Sequence, residues 1–167
     1  MTADAYRGAL EAVERVVNRE VDPSEVLART VGVLHDRFER YSWVGIYLVA
    51  DGELVLGPWK GPEATEHVRI PIGEGICGAA AASGRTEVVD DVSADERYLA
   101  CFLSTRSEIV IPISAGSRVV GEIDIDSDEP AAFGPDDRAF LERVALLVSP
   151  HALAVRESGE PRPARVA

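Results

Sequence analysis

An α+β fold is the class this sequence predicts: a central, largely antiparallel sheet with N- and C-terminal helices packed on one face and loops on the other. Three features predict it. Apolar residues recur at helical spacing at both ends of the chain, two hairpin patterns occupy the middle, and short irregular segments join them. With 167 residues the chain suits one core, and 46% hydrophobic against 28% charged residues is the balance of a globular rather than a disordered protein. The expected organisation is a single domain over residues 1–155, followed by a disordered tail, RESGEPRPARVA, over 156–167.

The elements follow in order. Leu10, Val13, Val16 and Val17 recur as on one helix face. Asp22-Pro23 marks a second helix start, with a capping side chain followed by a proline suited to the first helical position. Tyr41 to Val49 is aromatic and β-branched, hence a strand. Asp51-Gly52 turns it into a partner running from Glu53 to Trp59. After a loop from Lys60 to His67, Val68 to Ile72 is a short extended piece. Cys77 to Ser83 reads as an Ala-rich helix stopped by Gly84, and Thr86 to Val89 as another strand. Ser93 to Ala100 is a loop. Glu108–Ser114 and Arg118–Asp126 then alternate strictly, joined by Ala115-Gly116-Ser117 as a hairpin. The alternation predicts Val119, Ile123 and Ile125 on one face and Glu122, Asp124 and Asp126 on the other. A last helix is expected from about Asp136 to Val155, with Pro150 kinking it or ending it early.

Charge and cysteine usage narrow the function. Lys and Arg number 17 against 29 Asp and Glu, a formal net charge of −12. Such a chain repels phosphate backbones and anionic lipid, so no nucleic-acid or membrane partner is expected. No apolar run approaches the ~20 residues of a membrane span. Cys77 and Cys101 are too few for a disulfide scaffold and suit a reducing compartment. The start of the chain has Asp4 and no basic stretch ahead of an apolar core, unlike a secretory signal, so a cytoplasmic location is expected. His35, His67 and His151 lack zinc spacing and no calcium-loop motif occurs, so neither a metal nor a cofactor is expected.

Four groups of residues remain as candidates for chemistry. Gly73-Glu74-Gly75-Ile76-Cys77-Gly78 matches a nucleotide fingerprint in letters only. The unit from Val68 to Asp90 is shorter than the ~30 residues of a dinucleotide-binding βαβ, so the glycines are read as serving a tight turn and close packing. Cys77, near the start of the helix that follows, is either a small buried hydrophobe or a thiolate favoured by the helix dipole. Cys101 lies in a loop, with Arg97 and Arg106 near enough in sequence to stabilise a thiolate. Glu122, Asp124 and Asp126 share one strand face. Pairing Ser114 with Ser117 sets Glu108 against Ile123, and pairing Ala115 with Arg118 sets it against Ile125; either way Glu108 lies beside Asp124. Like charges side by side destabilise strands by ~0.2–1 kcal/mol, so a cation, an ammonium group or a shared proton is expected there. Trp43 and Tyr47, on one face of their strand, are core residues or an aromatic wall beside those acids.

The runs Trp43-Val44-Gly45-Ile46-Tyr47, Val68-Arg69-Ile70-Pro71, Gly73-x-Gly75-Ile76-Cys77-Gly78, Ala100-Cys101, Ser107-Glu108-Ile109-Val110-Ile111-Pro112 and Gly121-x-Ile123-Asp124-Ile125-Asp126-Ser127 resemble, in order, the GAF-domain free methionine-(R)-sulfoxide reductases. The resemblance covers most of residues 23–150. It implies a GAF fold with a closed ligand pocket under the loops, and an enzyme of oxidative-stress defence that reduces free methionine (R)-sulfoxide, with Cys101 as catalytic cysteine and Cys77 as a recycling cysteine. Trp43 and Tyr47 would surround the thioether end, and Glu108, Asp124 and Asp126 would bind the sulfoxide oxygen and the ammonium group. The implied cycle runs through a Cys101 sulfenic acid, a disulfide with Cys77 and a thioredoxin-like reductant; related domains often form homodimers through terminal helices. Two departures stand out. His67 occupies the place where family members usually carry a third cysteine, and Phe102 follows Cys101 where a small or polar residue is expected. The rival expectation is a non-catalytic GAF sensor or small-ligand binding protein.

Overall fold

Asp22 and Pro23 start a helix as their chemistry dictates: the Asp22 carboxylate accepts from the Ser24 amide at 2.9 Å, and Pro23 takes the first helical position. In the computed structural model, which describes residues 2–159 and 161–167, this helix is α2, Pro23–Arg37, and it follows α1, Ala3–Arg19. The remaining elements are β1 (Trp43–Ala50), β2 (Glu53–Lys60), β3 (Arg69–Pro71), α3 (Gly75–Ser83), β4 (Glu87–Val89), β5 (Ser107–Ala115), β6 (Arg118–Ser127), α4 (Pro135–Ser158) and β7 (Ala164–Arg165).

The strands form one sheet in the order β3-β2-β1-β6-β5-β4, with every neighbouring pair antiparallel. Its two faces differ in what covers them. Ile46, Leu48, Ile109, Ile111, Ile113, Ile123 and Ile125 pack against α1, α2 and α4 in the larger core. Trp43, Tyr47, Leu54, Leu56 and Val110 point the other way and are covered by α3 and by the segment around Tyr98–Phe102. The α+β class and its layering are as the sequence predicts; the candidate residues all belong to the second face.

Three local expectations are corrected. The hairpin closes with Ala115 opposite Arg118, but a bulge at Val119–Val120 then shifts the register by one. Glu108 consequently faces Asp126, not Ile125. Val120, not Val119, enters the helix-side core, while Val119 packs on the opposite face. Second, α4 does not end at Pro150 but continues to Ser158. Val148 and Ala152 are wholly buried on either side of it, whereas Pro150 and the Leu146 carbonyl it deprives of a partner lie on the solvent side. Third, the segment expected to be disordered is held. Arg156 to Ser158 belong to α4, and β7 pairs in parallel with Pro58 and Trp59 of β2. The Arg165 guanidinium sits 5.5 Å above the Trp59 ring, Val166 donates its amide to the Trp59 carbonyl at 2.8 Å, and the Val166 side chain packs on the core. An open backbone edge beside an indole is what captures this basic, apolar segment.

Candidate active site

The site lies where α3 and the Cys101 loop cover β1, β5 and β6. The G-x-G-x-x-G turn builds its base by conformation rather than by binding phosphate. Gly73 and Gly75 take positive φ of 98° and 68°, and a Cβ on Gly78 would fall 2.7 Å from the Pro71 carbonyl oxygen. This close approach seats α3 on the sheet and presses Cys77 onto the acids. On the other side, a Cβ on Gly45 or Gly61 would fall 2.3 Å from the Trp43 indole, so both glycines make room for that ring. Trp43 stacks on Trp59 at 6.1 Å between centroids and meets Phe102 at 5.7 Å, so Phe102 folds inward as a cover.

The four carboxylates of β5 and β6 are almost wholly buried: Glu108 is 5%, Glu122 0%, Asp124 1% and Asp126 2% exposed. Cys77 Sγ lies 3.7 Å from Glu108 Oε1. Both oxygens of Glu122 and of Asp126, one each of Glu108 and Asp124, and Trp43 Nε1 are buried without a hydrogen-bonding partner. Orphaned buried acceptors cost ~1–3 kcal/mol each, so so many in one place mark a site built for something other than stability.

Burial sets the protonation of every group here. Loss of water raises Glu108, with Asp124, Asp126 and Glu122 pushing further in the same direction. Burial likewise lifts Glu122 and Asp126 well above the usual carboxylate range, each with a contribution from Asp124. Asp124 rises least, to about 6, with burial opposed by contacts to Glu108 and Cys77. Cys77 is driven far up by burial and then by Asp124, Glu122 and Glu108, so the helix N-terminus does not make it a thiolate. Cys101 is also raised, first by burial and then by Asp126, Asp124 and Glu108. Neither expected arginine helps it. Arg97 pairs with Asp95 and Glu87 at 2.8 and 3.1 Å, and Arg106 is exposed, its field acting on Asp91. Cys101 Sγ instead donates to the Leu99 carbonyl at 3.4 Å.

All seven sequence-predicted site residues, Cys77, Cys101, Glu108, Asp124, Asp126, Trp43 and Tyr47, therefore lie on or beside the second face. Four others join them. Glu122, noticed only as part of the acidic run, is one of the buried acids that raise Cys77. Tyr98 and Thr105, buried at their hydroxyls, flank the Cys101 loop; nothing in their spacing announces them. His67 fastens the loops together: its Nε2 lies 3.2 Å from the Ala100 carbonyl oxygen, and its own carbonyl accepts from Tyr47 Oη at 2.8 Å. Cys77, Glu108 and Asp124 are also the described residues whose ligand atoms converge closely enough to hold a metal ion, within 4.8 Å of one another.

A buried thiol–carboxylate cluster on the loop-covered face of such a sheet defines the class, and residues 22–150 match the GAF domain model. Within it, the chain belongs to the GAF-domain free methionine-(R)-sulfoxide reductases. It is 37% identical over 118 residues to the free methionine-R-sulfoxide reductase of Escherichia coli, covering 71% of this chain and 70% of that protein. The crystal structure of the Neisseria meningitidis enzyme in complex with its substrate superposes with a TM-score of 0.85 at 40% identity, over 95% of this chain and 96% of that one. A type II enzyme of the same activity from Thermoplasma acidophilum gives a TM-score of 0.75 at 36% identity, over 86% and 96%.

Proposed function

We propose that this protein reduces free methionine (R)-sulfoxide to methionine. The observation that supports it most directly is the set of unpartnered, buried carboxylate oxygens beside two thiols and an indole. A free amino acid brings an ammonium group that these oxygens can accept; a methionine inside a peptide does not. The Neisseria relative is described in complex with its substrate, which accords with this reading.

The chemistry divides by protonation. Glu108 has three carboxylates raising it and stays protonated, so it is the group that donates to the sulfoxide oxygen. Asp124, lifted only to about 6, is ionised at neutral pH and receives the ammonium. The arriving positive charge also lowers the cost of a thiolate at Cys101. Its sulfur attacks the activated sulfur to give a four-coordinate adduct; as the oxygen passes to Cys101, the S–O bond to methionine and the new S–S bond both break, methionine leaves, and Cys101 becomes a sulfenic acid. Cys77 condenses with it, releasing water and forming a disulfide that a thioredoxin-like dithiol reduces by exchange. The dithiol requirement fits a reducing, cytoplasmic setting, and the half-exposed helical face, with Leu146 69% exposed on α4, suits a homodimer.

The test is turnover of purified protein with dithiothreitol on free methionine (R)-sulfoxide, its (S) epimer and the N-acetylated (R) form. Only the first is expected to be consumed, and Cys101→Ser should abolish its consumption. Binding without turnover would return the protein to the sensor class, and equal use of the N-acetylated form would remove the ammonium argument.

A further inference from the structure

We propose that Cys77, Glu108 and Asp124 form a binding site for a thiophilic divalent cation, zinc above all, and that occupancy shuts the reductase off. Binding follows from the geometry alone; the inhibition rests on the function proposed above. Cys77 Sγ and Glu108 Oε1 stand 3.7 Å apart, and a sulfur and an oxygen on one tetrahedral zinc, with bonds of ~2.3 and ~2.1 Å, lie about 3.6 Å apart. An Asp124 oxygen closes the triangle, with all three atoms within 4.8 Å of one another. The set is therefore near its liganding geometry without backbone movement.

The donor chemistry selects the ion. One sulfur and two carboxylates suit a borderline-soft cation, whereas calcium and magnesium need six or more oxygens and gain nothing from sulfur. Three protein ligands leave a fourth position open, as in zinc sites that retain an exchangeable ligand. The surroundings independently call for positive charge. Glu122, wholly buried, has both oxygens without a partner, and so does Asp126, 2% exposed. Binding converts the Cys77 S–H to a metal thiolate and the Glu108 carboxyl to a carboxylate ligand, releasing both protons to solvent, so no oxidant or reductant is involved. Cys101 is not a ligand, because its Sγ is directed to the Leu99 carbonyl. The ion would take the charge-accepting place of the substrate ammonium, making zinc and free methionine sulfoxide competitors.

The experiment uses the full chain, free of any purification tag and reduced with a phosphine, titrated with cobalt(II) as a spectroscopic stand-in. A thiolate-to-cobalt charge-transfer band in the near ultraviolet is expected, displaced by zinc and untouched by excess magnesium or calcium. Cys77→Ser should lose the band, Cys101→Ser should keep it, and the isosteric Glu108→Gln should weaken cobalt at least about tenfold while its circular dichroism stays that of the parent. No band in the parent, a band that survives Cys77→Ser, or one lost in Cys101→Ser would each overturn the site. None of these readouts needs turnover, so they stand even where the reductase reading fails. In active protein, zinc should raise the KM for methionine sulfoxide without lowering kcat; unchanged kinetics at a zinc concentration that displaces cobalt would overturn the inhibition.

Discussion

Glu108 on β5 and Asp126 on β6 stand directly opposite each other across the sheet, both buried, with Asp124 one step along the same face. Ionised carboxylates in that relation repel strongly where water cannot screen them, so the cluster holds protons at rest. A cluster of this kind is a proton reservoir and a cation trap at once. The consequences separate residue by residue.

Glu108 and Asp124 should fail differently. Glu108→Gln removes the proton donor and is expected to lower kcat about 10²–10⁴-fold with a small change in KM. Asp124→Asn removes a charged acceptor worth ~1.5–3 kcal/mol and should raise KM about 10–150-fold with kcat better preserved. Steady-state kinetics of the two variants checks the division.

The cluster should make the ligand-free protein less stable as pH rises. A buried carboxyl whose pKa is raised on folding contributes its full stability below the unfolded pKa near 3.8 and loses it as pH climbs through the folded value, about 6 for Asp124. Denaturant titrations should show Asp124→Asn gaining on the parent by roughly 1–3 kcal/mol between pH 4 and pH 7. A constant difference across that range would remove the claim that Asp124 is ionised against its surroundings.

Deleting a strand residue normally turns every following side chain to the wrong face. Deleting Val120 should not. It is the bulge residue, and without it Val119 and Gly121 alternate directly into the register already present at Ile113–Gly121. The expected result is a loss of about 1–3 kcal/mol for one buried valine, with substrate affinity retained. Thermal melting and a binding titration on the same protein measure both.

His67→Ala should loosen the Cys101 loop by breaking the contact to the Ala100 carbonyl. One neutral hydrogen bond of ~0.5–1.5 kcal/mol corresponds to a fall in kcat/KM of about 2–10-fold. Cys101 should at the same time be alkylated faster by iodoacetamide, and His67→Gln, which can still donate to that carbonyl, should restore most of both.

Much of the architecture was readable before any coordinates. Asp22-Pro23 and Asp51-Gly52 act within a few residues of themselves, and period-two alternation marks β5 and β6 without reference to anything distant. Order and residue type along the chain were also enough to single out Cys77, Cys101, Glu108, Asp124 and Asp126, because chemistry-bearing groups can be named one at a time. What they face cannot. The bulge at Val119–Val120 decides that Glu108 meets Asp126, and strand register is settled by the fit of two cores rather than by the turn. The protonation of Cys101 reversed expectation, and Cys77 took the buried one of its two readings, because helix ends and neighbouring arginines are weighed against burial and against carboxylates from other strands. Pro150 and the segment at Ala164–Arg165 follow the same rule: local preference broke or freed them, and long-range packing held them in place.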